Sequence, residues 1–431
     1  MDDAGDNCPT ETGAHEHASG TGLLLTGGGA RAAYQVGVLQ ALAALRRERV
    51  GLQCRPSSPF HIVTGTSAGA INAAALACGA DQFDAAVDRI ASVWEHFEAR
   101  QVYQSDLLSV LRSGARWMSL LSLGWVVARW RRVKPRSLLD NTPLEALLRE
   151  MVPLDRLPAL LQAGHLRALA VTASSYTTGH HVTFYQGHDS IKPWVRSQRL
   201  AVPCAITHQH LLASSAIPFV FPARELPINA GEEFFGDGSM RQTAPIAPAI
   251  HLGSDRILVV GAGRLHEPRD ALLRSEASSY PSLAQIAGHA MSSIFLDALA
   301  VDIERIRRIN QTLSLVPENA RHASVLRPVE LMVIAPSKRL DEIAARHVDA
   351  LPPTMRSLLG GLGASTARAD VKGGALTSYL LFEAAFTREL MALGRADALA
   401  QTDAVCRFFG WPAPAATPAP VHERRRDPLR L

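Results

Sequence analysis

Residues 60–76 read Phe60-His61-Ile62-Val63-Thr64-Gly65-Thr66-Ser67-Ala68-Gly69-Ala70-Ile71-Asn72-Ala73-Ala74-Ala75-Leu76. The first five are apolar and β-branched, the composition of a short buried strand. The last seven form a strong helix-forming run. Between them lies G-x-S-x-G. A strand that reverses into a helix within one or two residues leaves the central serine on a strained turn with its hydroxyl projecting outward. Gly65 and Gly69 are needed because side chains there collide across the turn, and Thr66 and Ala68 complete the elbow around Ser67. The new helix begins at Ser67, so free N–H groups and the helix dipole favour negative charge developing there. A serine that merely caps a helix would fit the pentapeptide alone, but the flanking strand and alanine-rich helix favour a nucleophile. A nucleophilic serine needs an oxyanion hole and a base.

Upstream, Leu23-Leu24-Leu25 predicts a first buried strand, followed by Thr26-Gly27-Gly28-Gly29-Ala30-Arg31-Ala32 and a helix with Val38, Leu39, Leu42 and Leu45 on one face. A glycine-rich turn between strand and helix presents successive backbone N–H groups to an anion. One reading is the dinucleotide fingerprint, since Gly27-x-Gly29-x-x-Ala32 fits G-x-G-x-x-A. That reading needs an acidic residue ending a second strand about twenty residues on, and only Glu48, inside the Arg-rich end of the helix, stands near there. The other reading is an oxyanion hole built from the loop Gly27, Gly28, Gly29 and Ala30 and aimed at Ser67. Both loops would lie at the C-terminal ends of adjacent strands, so this reading accounts for more. A tight turn that only needs glycine is the bland alternative.

For the base, Phe234-Phe235-Gly236-Asp237-Gly238-Ser239 is an apolar strand end running into a Gly-Asp-Gly turn that holds a carboxylate with little freedom. Asp-Gly is ordinarily a turn signal. No histidine stands in comparably constrained sequence, although His251 and His289 are candidates for a Ser-His-Asp triad. The paired His180 and His181 are expected to alternate faces of a strand over 181–185, hairpin partner of a strand over 166–173 across Thr178-Gly179.

Around this core the chain is ordinary in composition. Its 431 residues are 47% hydrophobic and 19% charged, enough to bury a large core. A net charge of +4 and the lack of any groove-reading motif argue against a nucleic-acid partner. Five scattered cysteines, never spaced C-x-x-C, fit a reducing, cytoplasmic compartment and predict neither a disulfide framework nor a metal site. No uncharged apolar run reaches 18 residues and residues 1–20 are polar, so neither a transmembrane helix nor a secretory signal is expected.

Helices are expected over 81–100, 283–311 and 374–402, a helix with Thr142 or Asn141 as cap and Pro143 at its first position, and a lone strand over 330–335. Residues 105–136 carry Trp117, Trp125 and Trp130 and close with Arg129, Arg131, Arg132, Lys134 and Arg136. Tryptophan beside arginine is an interfacial composition, which points to a lid or a peripheral membrane-docking element; an ordinary packed helix pair accounts for it equally. The expected organisation is a polar tail over 1–20, a catalytic domain over 21–265, a mostly helical region over 266–411, and a Pro-rich basic tail over 412–431.

Three pieces in order resemble the patatin-like lipid acyl hydrolases: the triple-glycine loop with Arg31, the elbow at 65–69 and the Asp237-Gly238 turn, with Ala213-Ser214-Ser215-Ala216-Ile217-Pro218 between them. The resemblance covers residues 21–262. It implies an α/β fold of three layers with a central, mainly parallel sheet flanked by helices, plus a helical C-terminal extension. It further implies Ser67 as nucleophile, Asp237 as base without histidine, the loop 27–30 as oxyanion hole, a lipid or phospholipid ester as substrate, and no cofactor or metal. Arg31 would bind a phosphate head group or hold the loop by an ion pair. The family pattern usually has Asp where Thr26 stands, Gly at Ala32, and Gly or Ala at Ser239. A catalytically idle lipid-binding protein is the remaining alternative.

Overall fold

The computed structural model describes residues 20–51, 56–104, 137–228, 231–265, 282–294, 298–321, 324, 326–361 and 374–412. The expected N-terminal tail up to residue 19, the Trp/Arg-rich segment 105–136 and the basic tail from 413 lie outside them. The chain begins with β1 (Gly20–Leu25), α1 (Ala33–Val50), β2 (Ile62–Thr66), α2 (Ala68–Ala77), α3 (Phe83–Glu95), α4 (Thr142–Met151) and α5 (Leu157–Gln162). It continues through β3 (Ala168–Ser175), β4 (His181–Gly187), β5 (Val195–Arg196), β6 (Arg199–Pro203), α6 (His208–Ser214), β7 (Arg224–Ile228), β8 (Gly231–Asp237), α7 (Ala247–His251) and β9 (Ser254–Val260). The remainder is α8 (Leu283–Ser292), α9 (Ala298–Leu315), α10 (Glu318–Arg321), β10 (Glu330–Ile334), α11 (Leu340–Arg346), α12 (Pro353–Gly361), α13 (Gly374–Leu380), α14 (Ala384–Leu399) and α15 (Thr402–Phe409).

One sheet runs through the molecule in the order β10-β9-β1-β2-β3-β4-β6-β5. From β10 to β3 all neighbours are parallel, and β4 turns antiparallel beside β3. Successive side chains of a strand point to opposite faces. Leu23 and Leu25 accordingly join the large cluster under α1 and α2, while Leu24 joins Ile257, Val259, Ile303 and Ile306 under α9 on the other face. Helices thus cover both faces, which is why β1 reads as an unbroken apolar run. The expected three-layer α/β architecture is present.

The C-terminal helices pack on this core, and the strand expected to stand alone, β10, joins the sheet edge beside β9. Helix α1 is buried nearly all round rather than on one stripe, with Tyr34, Gln35, Val36 and Ala43 as covered as Leu39. The cause is α14, which lies along it so closely that a Cβ on Gly37 would collide with the Met391 carbonyl and one on Gly394 with that of Tyr34. Of the two expected long helices, the first is represented by α8 and α9 on either side of residues 295–297, which lie outside the described residues, and the second is divided. In the second, α13 stops at Leu380 and α14 starts after Glu383, whose extended backbone and carboxylate contact to the Ala99 amide (3.3 Å) break the run. Asn141 is the N-cap residue of α4 and Pro143 lies in its first turn, as expected, but the Asn141 side chain makes no capping hydrogen bond. Asp140 Oδ1 accepts from the Thr142 amide (2.9 Å) and hydroxyl (2.6 Å), whereas Asn141 turns to Arg224. Among the described residues no helix is long and apolar enough to cross a membrane.

Candidate active site

The site is assembled on one edge of β3. β2 runs parallel to β3 and ends with Thr66 opposite Thr172. β8 runs antiparallel to β3 and ends with Asp237 opposite Ala173. Two strand C-termini therefore meet head-on at consecutive residues of one template strand. Ser67 follows the first and Asp237 closes the second, although 170 residues separate them. Ser67 Oγ donates to Asp237 Oδ2 at 2.6 Å, and the other carboxylate oxygen accepts from the Ser239 amide at 2.8 Å.

Ser67 holds φ 56°, ψ −132°, a strained conformation for a residue with a side chain. Glycine on either side permits it: a Cβ on Gly65 would press on the Gly69 carbonyl, and one on Gly69 on the carbonyls of Leu25 and Thr26. Three hydroxyls lock the elbow from behind. The Ser67 amide donates to Ser214 Oγ (2.9 Å), which donates to the Thr172 carbonyl (2.6 Å), and Thr66 Oγ1 meets Thr172 Oγ1 (2.6 Å) and Gln242 (3.0 Å). Gly238 donates its amide to the Ser214 carbonyl at 3.1 Å. Its own carbonyl accepts from Nε2 of the buried His181 at 3.0 Å. Burial pushes that imidazole down to about 4, so it is neutral and serves as a fixed donor.

Asp237 has no exposed surface. Desolvation raises its carboxyl to about 6, opposed by the hydrogen bonds from Ser67 and Ser239. A carboxylate at that value is a stronger base than an exposed one and still ionised at neutral pH.

The glycine loop 27–30 lies at the end of β1, next to β2. Thr26 staples it: its Oγ1 accepts from the Ala262 amide (3.0 Å) and its carbonyl from Gln35 (2.7 Å). Gly29, at φ +55°, shares with Ser67 and Ala68 the wall of a small apolar cavity continued by Ile71, Leu148 and Phe382. Ala30 is fully buried in the short helical turn after Gly29. Trp94 and Phe97 stack at 4.8 Å in the far wall, and Phe97 meets Phe382 at 5.6 Å.

Arg31 makes no ion pair among the described residues; it is 4% exposed and bonds to Ser378. Of the two candidate histidines, His251 stacks on Trp194 at 4.8 Å and His289 is exposed on α8; neither bonds to Ser67 or Asp237. The dinucleotide reading has no acidic residue closing β2, which ends in the elbow itself.

The family model described as patatin-like phospholipase matches residues 23–250. The chain belongs to the patatin-like phospholipase family. No curated protein sequence matches it. Among solved structures, VipD from Legionella pneumophila is similar at 14% identity, with 87% of this chain and 67% of that chain covered and a TM-score of 0.28. Human GIVD cytosolic phospholipase A2 is similar at 12% identity over 91% of this chain, with a TM-score of 0.43. The ExoU–SpcU complex from the type III secretion system of Pseudomonas aeruginosa is similar at 17% identity over 90% of this chain and 76% of that one, with a TM-score of 0.26. The chain spans 60% of the length of the human enzyme's chain.

Within the patatin-like frame, the sequence departures are absorbed locally. Thr26 supplies an acceptor with a hydroxyl where the family usually has a carboxylate, and Ser239 contributes its backbone N–H. Sequence reasoning gives Ser214, His181 and Gln242 no role at the site, and places His181 only as a strand residue. Ser214 stands in the quoted 213–218 stretch, but nothing local says that its hydroxyl reaches another strand. His181 and Gln242 lie far from the elbow in sequence and carry no local signal.

Proposed function

We propose that this protein is a serine lipid acyl hydrolase of the phospholipase A or lipase type, cleaving carboxylic esters through a Ser67–Asp237 dyad. The observation that carries the reading is the 2.6 Å hydrogen bond from a strained, elbow-mounted hydroxyl to a fully buried carboxylate, beside an apolar cavity. Asp237 takes the Ser67 proton as Oγ attacks the ester carbonyl carbon. The negative charge moves to the carbonyl oxygen, where N–H groups of the glycine loop and the start of α2 stabilise it; loss of one such donor typically costs about 10²–10³ in rate. Collapse breaks the C–O bond, and Asp237 returns the proton to the departing alcohol. Water, deprotonated by the same carboxylate, then attacks the acyl carbon, and the C–Oγ bond breaks as Asp237 returns that proton to Ser67 Oγ and the fatty acid leaves. An alcohol leaves more easily than an amine, which favours esters over amides, and the apolar cavity suits an acyl chain. The Trp117, Trp125 and Trp130 segment with its basic end belongs to the same proposal as a peripheral membrane contact.

The test is covalent labelling with a fluorophosphonate, read by intact mass, on wild type, Ser67→Ala and Asp237→Asn. One adduct on wild type, none on Ser67→Ala and slowed labelling of Asp237→Asn is the expected result. No adduct on wild type, even with lipid vesicles present, refutes the hydrolase reading in favour of an idle lipid-binding protein.

A further inference from the structure

The glycine loop is held from a part of the chain well beyond the family-matched region. Arg31 donates from Nε to Ser378 Oγ at 2.7 Å and from Nη2 to the Ala375 carbonyl at 3.4 Å, with its guanidinium 4.0 Å over the Tyr379 ring. Ser378 Oγ donates in turn to the Ala375 carbonyl at 2.6 Å. A buried cation is costly unless its donors are satisfied. Here a hydroxyl, a carbonyl and an aromatic face receive it, and the Asp341 carboxylate on α11 lies near enough to feel its charge. The hydroxyl, the carbonyl and the ring all come from α13. The same helix sets the loop's backbone: a Cβ on Gly29 would overlap the Tyr379 carbonyl, and Gly29 takes the left-handed φ that its neighbour's approach requires.

Beyond α13 the chain continues into the cavity wall through Phe382. Its position is fixed by the Tyr103 hydroxyl on the Leu380 carbonyl (3.1 Å) and by the Glu383 carboxylate on the Ala99 amide (3.3 Å). One short segment therefore presses on the loop's backbone, grips its arginine and lines the cavity beside Ser67.

We propose that α13, acting through Ser378, Tyr379 and Arg31, is a positioning strut that fixes the glycine-loop N–H groups relative to Ser67, so that the catalytic unit extends to Phe382. The inference rests on the hydrolase reading above. A loosened strut misplaces oxyanion donors, which act on the transition state and not on the bound ester. Its signature is a loss in kcat with KM unchanged. Arg31 and Ser378 act through the same loop, so removing both should cost no more than removing one.

The experiment measures kcat and KM on a long-chain p-nitrophenyl ester for the full chain. The variants are Ser378→Ala, Arg31→Lys, the double variant, Leu359→Ala and Ser67→Ala, with the folded fraction of each read by circular dichroism. Leu359→Ala removes buried apolar volume from α12, outside the strut, and should leave kcat within about twofold. Ser378→Ala and Arg31→Lys should each lower kcat about tenfold with KM within about twofold, and the double variant should fall no further than the less active single variant. Multiplicative losses, or a loss in Ser378→Ala matched by Leu359→Ala or by unfolding, overturn the strut. A wild type whose turnover equals that of Ser67→Ala overturns the hydrolase reading instead.

Discussion

Replacing Asp237 by Asn should make the protein more stable while removing its activity, and the gain should depend on pH. Asn keeps the shape and can both accept from the Ser239 amide and face the Ser67 hydroxyl, but it cannot ionise. In the wild type, burial lifts the carboxyl from its ordinary 3.8 to about 6. Below about pH 3.8 it is protonated in the folded and the unfolded chain alike, and the two proteins should melt together. Between those values the unfolded chain gives up its proton while the folded chain keeps it, and wild-type stability drains away. Above about 6 the folded chain must carry the buried charge as well, and the loss is complete. At 1.36 kcal/mol per pH unit, that span amounts to about 3 kcal/mol. With an unfolding entropy near 2.1 cal/mol/K per residue, a chain of this size should show it as a rise in Tm of about 3 °C. Paired thermal melts of wild type and Asp237→Asn from pH 4 to pH 8 measure it, since every other titrating group is common to both. A variant that melts at or below wild type at pH 8, or a difference that does not grow with pH, refutes the reasoning.

Two further outcomes follow from the same geometry. The pH profile of kcat/KM should rise through about 6, so that activity at pH 5 is about a tenth of the plateau; a limb near 7 would point to a histidine base and away from the dyad. Ile71→Trp, which fills the cavity beside Ser67, should cut kcat/KM on long-chain esters more than about tenfold while sparing butyrate esters. Equal losses on both chain lengths would mean that the acyl chain lies elsewhere.

What was legible in the sequence was what local chemistry encodes. The elbow announces itself because strand, glycines, serine and alanine-rich helix are contiguous, and the glycine loop and the Asp-Gly turn are likewise strand-end signals. Their meeting was not legible from the residues, because it depends on β2 and β8 ending against adjacent residues of β3, a register that no local pattern states. The same limit hid Ser214, whose hydroxyl bridges the elbow and β3, and Ser378, which reaches Arg31 across 347 residues. It also misled the reading of α1. Its apolar spacing implied one buried stripe, but a second helix from the far end of the chain covers the remainder. The only trace was glycine inside a helix at Gly37 and Gly394, where glycine costs about 1 kcal/mol relative to alanine and invites a reason.

That pairing of α1 with α14 has a consequence for how the protein is made. α1 leaves the ribosome well before the helix that covers it, which is encoded more than 330 residues later. At a synthesis rate of about 5–20 residues per second, its apolar surface waits some tens of seconds for its partner. During that wait the nascent chain already holds both Ser67 and Asp237, yet not α13, which follows Asp237 by well over a hundred residues. If the strut is needed to set the glycine loop, the proposed hydrolase cannot act on a lipid until α13 has been made.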